Sequence, residues 1–166
     1  MSRHLEMPRT GQVMLKAGRE KPVRQKHPWV FSGAIERIDG DVEDGGIADI
    51  VSARGEFLAR GLVNRKSQIV VRLLTWNPDQ AIDETFWRSR LERAIQARAG
   101  ETGACRLVNA ESDGLPGLVV DRYDRWLIVQ ALTLGIERLK SKLAGLLAEL
   151  WDARGIYERS DVEVRE

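Results

Sequence analysis

Cysteine is almost missing from this sequence: Cys105 is the only one among 166 residues. An intrachain disulfide is therefore excluded, as is a zinc site built on cysteines, and such a chain suits a reducing compartment. Histidine is nearly as scarce. With only His4 and His27 present, a serine–histidine–aspartate arrangement would have to recruit one of them from far along the chain. Long apolar runs are lacking too. The most apolar stretch, Trp126 to Ile136, is interrupted by Gln130 and is too short to span a bilayer. The opening Met1-Ser2-Arg3-His4-Leu5-Glu6 has no apolar core of signal-peptide length. No Gly-x-Gly-x-x-Gly turn follows a strand pattern and opens a helix pattern, so no dinucleotide or S-adenosylmethionine pocket is visible. The expectation is a soluble, cytoplasmic protein with no membrane partner.

What is present belongs to a folded domain or two. Hydrophobic residues make up 43% and charged residues 31%, proportions of a globular chain rather than a disordered one. The net charge of +1 conceals an asymmetry. Residues 1–75 hold 13 Lys/Arg against 9 Asp/Glu, whereas residues 76–166 hold 13 against 16. An anionic partner should meet the first half.

The first part reads as β-structure. Val13-Met14-Leu15 leads into a basic loop from Lys16 to Lys26, then His27-Pro28-Trp29-Val30-Phe31. Asp39-Gly40 and Asp44-Gly45-Gly46 are turn signals, and strand patterns follow at Ile47–Val51, Phe57–Val63 and Gln68–Leu74. Five or six short strands at this spacing predict a small barrel over residues 1–76. Asp83 then precedes a helix carrying Phe86, Trp87, Leu91, Ala94 and Ile95 at three- and four-residue intervals, read as a connecting helix within residues 77–103. Residues 104–166 form an α+β unit of strand-strand-helix-strand-strand type. Its strand patterns are Arg106–Asn109, Gly117–Asp121 and Trp126–Ala131, and its helix runs from Ile136 to Trp151. Gly155–Glu158 and Val162-Glu163-Val164 are possible edge strands, and an ending inside that alternation points to a piece of a longer chain.

Two stretches suggest a polyanion. Lys16, Arg19, Lys21, Arg24 and Lys26 fall within eleven residues, offset only by Glu20. Phosphates are the natural counterpart of cations at that density, although on charge alone a solvated loop is the commoner outcome. The adjoining His27, Trp29 and Phe31 could stack on unpaired bases. Equally, Trp29-Val30-Phe31 reads as a strand entering the core, with Phe31 the ring expected to be buried. Asn64-Arg65-Lys66-Ser67-Gln68 is a second polar, basic turn. Glu111, Ser112 and Asp113 invite an acid–base or hydrolase reading, but Asp113-Gly114 and Pro116-Gly117 are ordinary turn chemistry, and that reading prevails. Asp121 and Asp161 add no metal-ligand spacing, and Cys105 reads as a small half-buried thiol.

Several of these strings resemble a known family. Lys16-Ala17-Gly18-Arg19-Glu20-Lys21, His27 to Ala34, Leu58-Ala59-Arg60-Gly61 and Ser67-Gln68-Ile69 are similar to the N-terminal PUA domain of bacterial 23S rRNA cytosine-C5 methyltransferases. Ala110 to Arg122 and Tyr157 to Arg165 resemble the central domain of the same family. The resemblance implies a PUA barrel and a central domain, with a C-terminal methyltransferase domain missing here. It implies S-adenosylmethionine for the full-length protein and no cofactor or catalytic residue in this chain. Read with the charge pattern, it makes Lys16, Arg19, Lys21, Arg24, Lys26, His27, Trp29, Arg60, Arg65, Lys66 and Gln68 the expected RNA contacts. The expected partner is RNA, specifically 23S rRNA; a stand-alone module that forms a homodimer is the alternative.

Overall fold

Alternation sets the first strand. In β1 (Gly11–Leu15) Val13 and Leu15 are fully buried, while Gln12 before them is exposed and Met14 between them is half-buried, the period-two pattern of a half-covered sheet. The structure is a computed structural model and describes residues 11–159. It divides into two units between Ala81 and Ile82. The expected strand Val162-Glu163-Val164, with Asp161, His4 and the N-terminal hexapeptide, lies outside the described residues.

The first unit continues with a one-turn helix α1 (Lys21–Arg24), β2 (Trp29–Phe31), a 3-10 turn (Ser32–Ala34), β3 (Ile35–Gly40), β4 (Ile47–Val51), β5 (Phe57–Val63) and β6 (Ile69–Thr75). The six strands run in the order β2-β6-β5-β4-β1-β3, antiparallel throughout except where β1 lies parallel to β4. Register shifts at Met14/Leu15, Val30/Phe31, Ile50/Val51 and Arg60/Gly61 bend the strands and curl the sheet. A Cβ on Gly61 would run into the Arg72 carbonyl, so β6 crosses there at glycine distance. Inside the curl Val13, Leu15, Val23, Val30, Ile50 and Val71 form one core. The small barrel expected from the sequence is thus an open, curled sheet whose edge strands β2 and β3 are consecutive in the chain. One turn signal is corrected. Asp39 is a strand residue paired with Gln12, its carboxylate held by Arg37 at 2.8 Å, and the turn comes at Asp44-Gly45.

The second unit comprises α2 (Glu84–Ala97), β7 (Ala104–Asn109), a 3-10 turn (Ala110–Asp113), β8 (Leu118–Tyr123), β9 (Trp126–Ala131), α3 (Leu134–Leu150) and β10 (Gly155–Glu158). Asp83 caps α2 by accepting the Phe86 N–H at 2.9 Å, and Thr133 caps α3. Two expectations change. Rather than connecting two domains, α2 buries Phe86, Trp87, Leu91 and Ala94 and packs on α3 and β7 within this unit. An amphipathic helix needs cover for its apolar stripe, and its periodicity does not say which element supplies it. Three strands, not two, precede the helix, and β10 returns parallel to β9 on the sheet edge, giving the order β10-β9-β8-β7. That connection is a strand–helix–strand crossover. Among the described residues no helix is long and apolar enough to cross a membrane, and no group of three metal-binding side chains comes together.

Of the carboxylates that invited a catalytic reading, that of Asp113 serves the turn before β8. Asp113 accepts the Asn109 N–H at 2.6 Å and pairs with Arg98 at 2.8 Å. Gly114 and Gly117 follow with φ of 69° and 84°, a region where side chains are strained. A Cβ on Gly117 would also meet Thr133 Oγ1, the α3 cap, at 2.5 Å. Gly117→Ala should therefore destabilise the protein by about 1 kcal/mol or more, read as a lower thermal midpoint; an unchanged midpoint would mean that the turn tolerates a side chain.

Candidate nucleic-acid interface

The strand β2 decides what faces solvent here. Val30 points into the core, so its neighbours point out: Trp29 is half-buried and Phe31 is 47% exposed. Phe31 is thus a surface ring, against expectation, because alternation lets only one of three consecutive residues enter. His27 joins the same side. Its ring stands 5.8 Å from Trp29 edge to face, and Trp29 stands 6.3 Å from Phe31 in the same manner. The Trp29 N–H is 3.2 Å from His27 Nδ1, which ties the imidazole to the strand. Arg72, opposite Trp29 on β6, lies with its guanidinium 6.0 Å from the indole centre. Sequence reasoning overlooked Arg72; the signal was a lone charge amid the apolar run of β6.

The basic stretch is less a loop than a short scaffold. Gly18, at φ 82°, turns the chain, and α1 then buries Val23 while exposing Lys21, Arg24 and Lys26. The Trp76 indole N–H donates to the Val23 carbonyl at 2.8 Å, and Lys26 Nζ sits 5.0 Å over the Trp76 ring. Glu20, the acidic member, has its carboxyl held below the usual range by backbone N–H groups, its own first and then those of Ala53 and Gly18, with Arg24 adding to them. Its charge is thereby engaged locally. Arg24 also reaches Glu56 at 3.1 Å, with both side chains more than half exposed. Lys16, Arg19 and Lys21 present exposed side chains.

Hydrogen bonds bring the two basic segments to one strip. The Ser32 N–H donates to the Gln68 carbonyl at 2.9 Å, and the Lys16 N–H donates to the Ala34 carbonyl at 2.9 Å. His27 also stands 6.4 Å from Phe31, so the three rings form one cluster. The turn that carries Lys66 and Gln68, and Lys16 itself, border it through the turn that follows Phe31, and Lys26 adjoins it at His27. Arg65 is partly committed to structure. Its backbone N–H and Nε both reach Asp44 Oδ1, at 2.9 and 3.0 Å, and Nη2 donates to the Val42 carbonyl. Those contacts, the Arg65 backbone N–H foremost, hold the Asp44 carboxyl below its ordinary range.

Arg60 leaves the set. It is 1% exposed, with Nε 2.6 Å from Asp49 Oδ1 and Nη2 3.2 Å from the Pro78 carbonyl, and Nη1 donates to the Gln80 carbonyl. With four of its five N–H groups spent on Asp49, Pro78 and Gln80, a guanidinium shut from water is out of reach of a phosphate.

Residues 13–76 match the model of the PUA-like domain. The first unit is a PUA-like domain. Around this domain the likeness extends over almost the whole chain. The chain is 43% identical over 162 residues to the ribosomal RNA large subunit methyltransferase I of Aliivibrio fischeri, covering 94% of this chain and 41% of that protein. It is 40% identical, with the same coverage, to the protein of that name from Yersinia pseudotuberculosis. The chain thus spans about two fifths of the length of these curated relatives, and the resemblance drawn from its motifs is upheld. A solved structure from Streptococcus mutans, assigned as a SAM-dependent methyltransferase, superposes with a TM-score of 0.78 at 16% identity over 92% of this chain and 41% of its own. A second, assigned as a methyltransferase and complexed with SAH, gives 0.79 at 16% identity, with the same coverage. At that identity the two structures speak for the fold alone.

Within the PUA-like domain, the structural role of Arg60 has a measurable consequence. Arg60→Met should cost about 3–5 kcal/mol, since it leaves Asp49 without its cation in a largely buried place. Urea unfolding measures this loss, and a cost below about 1 kcal/mol would return Arg60 to the surface set.

Proposed function

We propose that this chain is the RNA-gripping part of a SAM-dependent 23S rRNA methyltransferase whose target is cytosine C5, and that its PUA-like domain holds the substrate. The observation that carries the reading is the aromatic cluster His27, Trp29 and Phe31, bordered by exposed cations. Rings offer faces on which unpaired bases stack, whatever their sequence. Cations alongside neutralise phosphates and release counterions. Together they suit an RNA segment with bases splayed out rather than a regular duplex. The relatives' names supply the class of RNA.

The described residues offer no cradle for S-adenosylmethionine. The strand-to-helix step from β9 to α3 runs through Ala131-Leu132-Thr133, and the Thr133 hydroxyl already caps the helix. Cys105 is half-buried on β7 opposite Arg122, whose guanidinium donates to the Glu101 and Gly103 carbonyls. Nothing there provides the base or cofactor pocket that makes a thiol a catalytic nucleophile. On this reading methyl transfer belongs to the rest of the full-length protein.

Two measurements test the reading. Replacing Arg19, Lys21 and Arg24 together with Ala should weaken rRNA binding and flatten the slope of log affinity against log salt by about two to three. An unaltered slope would remove the basic stretch from the interface. The chain by itself should neither bind S-adenosylmethionine by calorimetry nor transfer tritiated methyl groups to rRNA. Label incorporation lost in Cys105→Ser would place the chemistry here instead.

A further inference from the structure

The second unit carries an aromatic surface that the PUA-like domain does not account for. Along β9, Leu127, Val129 and Ala131 are buried, with α3 packed on that strand. Trp126, Ile128 and Gln130 between them are not buried. The register sets Tyr157 of β10 opposite Ile128 and Tyr123 of β8 opposite Trp126. Trp126, Tyr123 and Tyr157 are 37%, 53% and 56% exposed, the only exposed large hydrophobic residues of this unit among the described residues.

Gly155 explains how Trp126 lies. The two are directly paired, and a Cβ on Gly155 would sit 2.8 Å from the indole Cε3. The indole therefore packs over Gly155 on β10, in space that a side chain there would take, and stays 37% exposed. Tyr157 is beside it, with ring centres 5.5 Å apart and planes tilted by 39°. Cations stand at both ends. The Arg154 N–H donates to the Arg125 carbonyl at 2.7 Å, and the Arg159 N–H continues the β10 register by donating to the Val129 carbonyl at 2.9 Å. Arg154 and Arg159 are exposed and have no carboxylate partner among the described residues. Strand alternation sets Arg159 on the side of Gly155 and Tyr157.

We propose that this sheet face is a second RNA site, a stacking platform on which bases of a single-stranded segment lie against Trp126 and Tyr157 while Arg154 and Arg159 hold the flanking phosphates. The proposal rests on the reading of the chain as an RNA-gripping module. The surroundings favour RNA over a protein partner. Beyond the rings the outward side of β9 adds only the half-buried Ile128 as an apolar residue, with Gln130 and the Arg106–Asp121 pair at 2.9 Å around it, so the apolar area is a small patch bordered by polar and charged groups. A dry protein interface wants a contiguous apolar centre, whereas a stacked base needs one ring and a nearby positive charge.

The test is fluorescence anisotropy of the full chain with a labelled oligouridylate. Trp126→Ala and Tyr157→Ala should each weaken binding about tenfold without altering the salt slope, because the rings carry no charge. Trp126→Phe and Tyr157→Phe should bind close to wild type, and the first covers the case in which Trp126→Ala fails to fold by circular dichroism. Arg154→Ala with Arg159→Ala should lower the salt slope by about one to two. If the ring variants bind like wild type while the Arg19, Lys21 and Arg24 triple variant does not, the platform is overturned and the PUA-like domain alone grips RNA. If none of these variants binds more weakly, both readings fall. A ring variant that turns a sedimenting dimer into a monomer, with oligouridylate affinity intact, would make the face a contact between copies and overturn the proposal.

Discussion

Arg60 sits in the middle of β5, directly opposite Asp49 on β4, with its charge buried under the segment that carries Pro78 and Gln80. Taking a guanidinium out of water costs several kcal/mol, which only a nearby opposite charge and filled hydrogen bonds offset. Asp49 contributes both oxygens, and the Pro78 and Gln80 carbonyls each accept one further N–H. The penalty for any other arrangement is what gives the pair its control. Slipping β4 against β5 by one residue would separate the charges and turn every side chain to the opposite face. The same cation also pins the segment by which the chain leaves the sheet.

With that register held, the remaining strands have little freedom, and the surface follows. β6 pairs with β5, and β2 pairs with β6 so that Val30 meets the core. Trp29 and Phe31 are left outside as a consequence, with Arg72 beside them. The exposed rings are thus the outer half of an alternation whose inner half stabilises the fold. The 3-10 turn from Ser32 to Ala34 then takes Gln68 and Lys16 as hydrogen-bond partners. Segments distant in sequence come to border one strip through backbone hydrogen bonds alone. In the second unit, likewise, the place of the Trp126 indole over β10 follows from the absence of a side chain at Gly155.

Much of this was legible beforehand where the signal was local. The strands of the first unit, the cap at Asp83, the turn at Asp113-Gly114 and the clustering of cations before His27 all lie within a few residues of what causes them. The failures share a different origin. Phe31 reads as a core residue by its chemistry, yet its place depends on which neighbour the sheet covers. The helix from Glu84 reads as a connection because its partners, α3 and β7, lie later in the chain.

The sequence by itself determined most element types and turn positions, the basic character of the first half and the resemblance to rRNA methyltransferases. These rest on periodicity, backbone preference and residue identity, which neighbours in the chain express directly. Only the tertiary structure decided that Arg60 is buried while the other expected RNA contacts stay at the surface, that Phe31 and Arg72 join the candidate interface, and that an indole packs over Gly155 on β10. Each depends on partners far away in sequence, because periodicity tells which residues share a face, and only packing tells which face is covered and which charge finds its acceptor.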